Sequence, residues 1–413
     1  MKGSELKRQL LAVVTVTLLV AVLIDRSSAS DDYGKFKFGG SMRGRYELFR
    51  FSEDETGSKK DTRGRIRYRF RFDGSIAVNP HASFFFRFVS GDDSRSGNQT
   101  LGEPYDFGPN LFSVRSASMT LTPWADGKLP NGKGYWKFDF GRVKNSFVWK
   151  GNGRDMMLWD NDISLAGTGT QFGHQLGQNS SFFFNTGYYV IDEESSGGKD
   201  PYLTPLQLGL LFGADNTRAG IRGSFWYMNE LNANFISRGA TGENLDGSDG
   251  VTASGGNISD GLTGDPEGGK LEVLSTQAFL STRIASVRFT MFGGYSSNLT
   301  AEPSQRYPGI AKNNIAYNIG LEGGNKKSLM LLGAAWFHIE ANAFPSQFID
   351  SDFLDGHTNR KGLLIYFSKQ VIKNTDFNIQ LFGSDAIAVG TGLEESVENS
   401  ERVRLQVDLL YNF

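Results

Sequence analysis

Residues 63–73 read RGRIRYRFRFD, an unbroken alternation of basic and apolar side chains that ends in an acid. Successive side chains of a β-strand point to opposite faces, so in a strand the basic residues would share one face and the apolar residues the other. A helix would scatter both sets around its axis. The segment therefore predicts a strand with a basic face (Arg63, Arg65, Arg67, Arg69, Arg71) and an apolar face (Ile66, Tyr68, Phe70, Phe72).

The same period of two recurs near both ends of the chain. Residues 35–48 alternate lysine, arginine and glutamate with aromatic and aliphatic residues. Residues 402–413 alternate arginine, glutamine and aspartate with valine, leucine and aromatic residues, and the last residue is Phe413. Both segments predict strands that are apolar on one face only.

Reading the whole chain in this way predicts an all-β protein of about sixteen strands. The expected strands are 35–51, 62–78, 81–90, 112–122, 134–142, 163–174, 180–192, 203–213, 217–230, 270–283, 286–296, 314–323, 328–341, 361–369, 375–386 and 402–413.

The connections between these strands alternate in length. Short ones are 79–80, 214–216, 284–285 and 324–327, and long ones are 91–111, 143–162, 232–269, 297–313, 343–360 and 387–401. The link 123–133 should be short in this scheme and is of medium length. A soluble sandwich has no reason to sort its loops. A transmembrane antiparallel β-barrel has short periplasmic turns and long external loops, and this is the fold class that the sequence predicts.

The composition and the N-terminus agree with an exported barrel. Lys2, Lys7 and Arg8 precede an apolar run from Leu10 to Ile24, so residues 1–30 are expected to be a signal peptide and 31–413 the barrel. A single membrane anchor is the alternative for that run, which is short for a full bilayer span. The chain has no cysteine and a formal net charge of -2, which gives no bulk reason to expect nucleic acid.

Two segments resemble known outer-membrane proteins. The terminal strand with Tyr411 and Phe413 resembles the assembly signal of bacterial outer-membrane barrels. The stretch from Phe138 to Phe172, with FGR at 140–142, KNSF at 144–147 and LWDND at 158–162, resembles the family of "putative porins". The resemblance implies a bacterial outer-membrane location, diffusion of small solutes, a homotrimer, and contact with outer-membrane lipids and the barrel-assembly machinery.

If the apolar faces contact lipid, the polar faces line the lumen, and that lumen is basic. The expected pore-lining residues are Arg43, Arg45, Arg63, Arg65, Arg67, Arg69, Arg71, Arg87, Arg218, Arg222, Arg288, Arg402 and Arg404. The expected inward carboxylates are Glu47, Asp73, Glu272, Glu322, Glu340 and Asp408. Guanidinium groups bind phosphate and carboxylate, so a preference for anions is expected. The alternative is that the arginines pair with acids of an inward-folded loop and are structural.

The third external loop, 143–162, is the candidate constriction loop, by analogy with general porins. Its charged residues are Lys144, Lys150, Arg154, Asp155, Asp160 and Asp162. Such a loop opposite an arginine wall would set up a transverse field that orients polar solutes. The alternative is a surface loop with solvated charges.

No pattern in the sequence favours catalysis. The four histidines are scattered, and neither a His-Glu-x-x-His pattern nor a Gly-x-Ser-x-Gly elbow is present. The acidic glycine-rich loop near Asp246 and Asp260 lacks the spacing of a calcium loop. No cofactor is expected. The expected function is passive diffusion of small hydrophilic, preferably anionic, solutes. The alternatives are a channel specific for phosphate or organic acids and, less favoured, an outer-membrane enzyme or adhesin.

Overall fold

A computed structural model of the chain describes most of the expected strands. The described residues are 33–51, 62–91, 96–101, 112–147, 159–160, 162–193, 199–213, 216–232, 257, 262–263, 268–303, 311–352, 356–387 and 402–413. The expected signal peptide, residues 1–30, lies outside them.

Seventeen strands account for nearly all the regular structure of the described residues. They are β1 Phe36–Phe51, β2 Arg63–Asn79, β3 Ala82–Ser90, β4 Gln99–Thr100, β5 Phe112–Leu121, β6 Gly134–Lys144, β7 Ser164–Gly177, β8 Ser180–Val190, β9 Tyr202–Gly213, β10 Thr217–Asn232, β11 Gly268–Ile284, β12 Val287–Asn298, β13 Ile315–Gly324, β14 Leu331–Ile339, β15 Arg360–Ile372, β16 Thr375–Ala386 and β17 Arg402–Asn412. In the described parts of the connections there are two 3-10 turns, Ala125–Gly127 and Ser346–Phe348.

The strands close into one antiparallel barrel. Each long strand pairs with the next along the chain, and β17 returns to pair with β1, with Leu48 opposite Leu405. The two-residue β4 pairs with Arg67 and Tyr68 of β2, beyond the point where β3 ends at Ser90. The strands β3 and β4 therefore occupy the same strand position in the barrel wall. The barrel therefore has sixteen strand positions, and the predicted fold class is confirmed.

The medium-length link between β5 and β6 is held against a neighbouring turn. The Asp126 amide donates to the Pro80 carbonyl at 2.7 Å, and the Thr122 amide donates to the His81 carbonyl at 2.9 Å. These bonds satisfy backbone groups that a loose loop would leave to water. The link is thus an ordered brace at the short-turn end.

The alternation of side chains divides the wall into an outer and an inner face. Large apolar side chains are exposed on the outer face, among them Tyr46, Phe84, Leu208, Leu274 and Ile319. A soluble protein would bury this many aromatic and aliphatic side chains, whereas lipid solvates them. Among the described residues, no helix has the length and apolar character needed to cross a bilayer.

The inner face is not polar all round, and this departs from the simple alternation. Strands β9–β16 also direct apolar side chains inward, including Leu203, Trp226, Val273, Phe337 and Leu364, all buried. They pack against residues of the loops 145–163 and 340–359, such as Phe147, Trp159, Phe344 and Phe348. One side of the lumen is therefore filled by a hydrophobic core.

Barrel closure can be tested at Gly40, where an added Cβ would meet the Arg71 carbonyl oxygen and the Phe413 ring. Overpacking of this kind makes Gly40→Ala cost about 1–3 kcal/mol of unfolding free energy, measured by denaturant titration of the refolded protein. Gly44→Ala is the matched control, because it lies on the same strand and its added Cβ has nothing within 4 Å. Equal losses in the two variants would contradict the described closure.

Candidate functional site

The arginines of β1 and β2 face each other across the inner wall. Arg43 lies opposite Arg69, and Arg45 lies opposite Arg67. Like charges directly opposite on neighbouring strands repel, so this wall requires carboxylates close by. The structure supplies them from two sources, the barrel strands and two inward loops.

Glu47 is the central carboxylate of the wall. Its side chain is 0% exposed, and its oxygens lie 2.7 Å from Arg404 Nη2 and 2.6 Å from Arg65 Nε. Arg45 Nη1 at 3.2 Å and Arg67 Nη1 at 3.6 Å complete the set. One buried carboxylate thus serves four guanidinium groups contributed by β1, β2 and β17.

Two further strand carboxylates bind arginine with both oxygens. Asp408 accepts from Nε and Nη2 of Arg45 at 2.6 and 2.7 Å. Asp73 accepts from Nε and Nη2 of Arg87, both at 2.6 Å. Bidentate pairs fix the position of the guanidinium plane as well as its charge. Arg45 and Arg87 are therefore held in place against the wall.

The described ends of the loop 145–163 contact opposite parts of the inner wall. Near its start, the Phe147 carbonyl accepts from Arg222 of β10 at 2.8 Å and from Gln207 of β9 at 3.1 Å. Near its end, Asp162 lies 3.2 Å from Arg69 and also contacts Arg71, both on β2. Because β2 is the second and β10 the ninth of the sixteen strand positions around the barrel, the two ends of the loop contact nearly opposite sides of it.

Asp162 is ionised by its partners. Burial alone would raise the pKa of its carboxyl, but the Arg71 and Arg69 guanidinium groups hold that pKa below its ordinary value. The carboxylate therefore remains charged under mildly acidic conditions.

A second inward loop, 340–359, reaches the same wall, a role that the sequence did not predict. Its Asp352 contacts Arg45 and lies 3.3 Å from Arg43, while the Ser351 carbonyl accepts from Arg404 at 3.0 Å. Burial would raise the pKa of Asp352, but Arg45, Arg43 and Arg404 hold it well below its ordinary value.

Asp160 latches the two loops to each other. One of its carboxylate oxygens accepts from both the amide and the hydroxyl of Ser351 at 2.9 Å. Its own amide donates to the Phe348 carbonyl at 2.8 Å. The loops therefore form one unit, which we call the lumen plug and define as the described residues of 145–163 and 340–359.

Aromatic packing anchors the lumen plug on the far side from the arginines. The Trp159 ring lies 4.8 Å from Trp226 of β10 and 4.7 Å from Phe348, centroid to centroid. The Phe147 ring contacts Trp226 edge-on at 5.4 Å. The plug is thus apolar towards β9–β16 and acidic towards β1–β2.

The thirteen predicted pore-lining arginines are not equivalent. Those of β1, β2, β3 and β17 lie on the inner face by register, and Arg63 among them is exposed at the start of β2. Arg218 is exposed near the start of β10, at the opposite end of the wall. Arg288 donates to Ser281 at 3.3 Å, Arg402 shares the inner face with Ser384, and Arg222 is a buried clamp on the loop 145–163. Arg45 has a side chain that is 0% exposed and so contacts no water directly.

Several expectations need correction. Lys144 is the last residue of β6 rather than a loop residue, and its ammonium lies 3.6 Å from the Phe85 ring centroid. Glu272 shares the outer face with Leu274 of β11, and Glu340 accepts from the Ile315 amide at 2.8 Å to cap β13. Lys150, Arg154 and Asp155 lie outside the described residues. Glu272 was assigned to the wrong face because the inward residues beside it, Leu271 and Val273, are apolar, and Glu340 lies just beyond the end of β14 at Ile339.

Two further inner-wall residues were not predicted from the sequence. Arg115 is an extra residue at a β-bulge between β3 and β5 and is buried, which an unbroken alternation does not predict. Phe49 is an inward aromatic residue whose ring lies 4.9 Å from the Arg65 guanidinium and 4.8 Å from that of Arg404. Within the described part of the chain, no group of acids and histidines could hold a metal ion.

This chain is similar to one family of sequences and to solved structures. The family model described as "putative porin" matches residues 52–227. OprB of Pseudomonas putida superposes with a TM-score of 0.55 at 10% identity, over 92% of this chain and 94% of that one. OmpF of Salmonella typhi gives 0.49 at 13% identity, over 94% and 100%. No curated protein sequence matches the chain at a significant level.

Removing the central carboxylate should destabilise the barrel strongly. Glu47→Ala leaves a buried cluster of guanidinium groups uncompensated, and loss of one partner from such a network costs roughly 3–5 kcal/mol. The unfolding free energy of the refolded protein measures it. Asp385→Ala, which removes an exposed carboxylate of β16, is the control with an expected change within about 0.5 kcal/mol. A loss at Glu47 no larger than the control would show that the network is not a structural support.

Proposed function

We propose that this chain is a bacterial outer-membrane porin that passes small hydrophilic solutes by passive diffusion and prefers anions. The match of residues 52–227 to the "putative porin" family model and the porin-like barrel fold support the porin channel. The preference for anions is our inference from the inner wall.

The observation that carries this proposal is a surplus of fixed positive charge. Among the described residues, eight arginines of the inner wall take part in ion pairs with only five carboxylates. The arginines are Arg43, Arg45, Arg65, Arg67, Arg69, Arg71, Arg87 and Arg404, and the carboxylates are Glu47, Asp73, Asp162, Asp352 and Asp408. Guanidinium stays protonated at any physiological pH, so the surplus attracts anions and repels cations.

The alternative weighed from the sequence, that the arginines pair with loop acids, describes part of the wall. Arg43, Arg45, Arg69 and Arg71 contact Asp162 or Asp352 of the lumen plug. These pairs position the plug, and the surplus charge remains after they are counted. Structural pairing and anion preference are therefore compatible.

A channel specific for phosphate or organic acids is the second candidate. The observation in its favour is the bidentate fork geometry that arginine offers to such groups, which a general pore does not require. The family and the barrel favour a channel over catalysis or adhesion. A homotrimer and assembly through Tyr411 and Phe413 are proposals that rest on the resemblance to porins; in support, the Gly40 amide donates to the Phe413 carbonyl at 3.0 Å where the barrel closes.

The experiment compares ion selectivity in planar bilayers under a salt gradient. Wild type should show a zero-current potential of the sign that reports anion preference. Replacing Arg65, Arg67 and Arg69 together by Gln should shift the potential towards that of a non-selective pore, because three fixed positive charges leave the lumen.

Arg50→Gln is the matched control. Arg50 lies on β1 and is exposed on the outer face, so its loss changes the net charge without changing the lumen. Cation preference in the wild type, or an equal shift in the control, would overturn the anion proposal. A correctly folded barrel that conducts no ions would overturn the channel.

A further inference from the structure

The carboxylates that contact Arg43 and Arg45 come from two sources, the barrel strands and a loop. Glu47 and Asp408 belong to barrel strands and are sealed, with side chains 0% and 5% exposed. Asp352 belongs to a loop, and its side chain is 26% exposed. Solvent therefore reaches the contact between Asp352 and the wall, although it does not reach the contacts beneath.

The arginines that hold Asp352 have other partners. Arg45 keeps its two bonds to Asp408 at 2.6 and 2.7 Å. Arg43 also contacts the Asn98 side chain and lies 3.8 Å from Asp408. Arg43 and Arg45 thus each keep a strand carboxylate, Asp408, when the loop carboxylate leaves, and the positive charge uncovered there is what a solute anion would neutralise.

The Asp352 carboxylate contacts Arg43 and Arg45 in the way that a bound anion would. A carboxylate carried by a mobile solute would present the same oxygens to the same pair of guanidinium groups. Asp162 makes the equivalent contact with Arg69 and Arg71, one step along the same wall. Between them, the two loop carboxylates cover four neighbouring arginines.

We propose that the Arg43–Arg45 pair is a binding site for the phosphate or carboxylate group of a solute, and that Asp352 is a tethered competitor that occupies it when no solute is present. The inference rests on the proposed channel and adds a site and an order of events to it. A solute anion displaces Asp352, and the 351–352 part of the lumen plug then leaves the wall. Solute binding and plug release are one exchange of like groups, so the cost of exposing the arginines is small.

The test measures block of the single-channel current by inorganic phosphate, with chloride as the carrier. Asp352→Asn removes the competing charge and should increase the apparent affinity for phosphate roughly tenfold, as expected for loss of a close charge pair. Succinate is then tested in place of phosphate, to separate the two kinds of anionic group. A site that accepts carboxylates is blocked by both phosphate and succinate, whereas a site specific for phosphate is blocked by phosphate only.

Asp73→Asn is the matched control. Asp73 is an inward aspartate with a side chain that is 24% exposed, it binds Arg87 rather than the Arg43–Arg45 pair, and its neutralisation adds the same charge to the lumen. Its phosphate affinity should change less than about threefold. Equal effects of the two substitutions would show that bulk charge and not competition is responsible, and would overturn the proposal.

Arg43→Gln provides a second variant, should Asp352→Asn fail to fold; it removes one guanidinium of the proposed site and should weaken phosphate block, whereas Arg87→Gln, which removes the same charge elsewhere on the inner wall, should not. Unchanged affinity in the folded variants overturns the tethered competitor while the channel stands. Absence of any current from wild type overturns the channel itself, so the two failures are distinguishable.

Discussion

The rest of the structure depends on neutralising a wall of guanidinium groups inside a closed barrel. Arginines of β1 and β2 lie opposite one another, and such a wall is stable only where carboxylates approach it. Glu47 provides the innermost compensation by contacting Arg65 and Arg404. The strands of the wall supply fewer carboxylates than arginines. Acidic residues of the inward loops, Asp162 and Asp352, provide further compensation for the arginines of β1 and β2.

The lumen plug meets two requirements. The arginine wall needs carboxylates, and the inward side of β9–β16 needs apolar contacts. Those strands direct apolar side chains into the barrel, and water would solvate them poorly. A loop unit with aromatic residues on one side and aspartates on the other satisfies both walls. Trp159 and Asp162, close together in one loop, do this at opposite sides. The remaining passage is expected to border the basic wall.

The strands, their order and the barrel closure could be predicted because the period of two follows directly from strand geometry and from a single lipid-facing side. The arginines of residues 63–71 were placed on one face for the same reason. The loop 340–359 could not be assigned to the wall, because its contacts join Asp352 to Arg45 across a long sequence separation and no local pattern encodes them. A usable signal existed in β14, where LLGAAWFHI is apolar on both faces and therefore indicates packing on both. Arg115 was missed because a bulge shifts the register by one residue.

The central claim, that two loops meet inside the barrel and form one unit, is tested most directly by cross-linking in a chain that has no cysteine. Asp160→Cys and Ser351→Cys together place thiols where the latch lies, with the original side chains 2.9 Å apart. Mild oxidation of the double variant in intact outer membranes should form an intramolecular disulfide that changes its mobility on gels, and each single variant should not. Labelling of both thiols by a membrane-impermeant maleimide from outside, without any disulfide, would contradict the account.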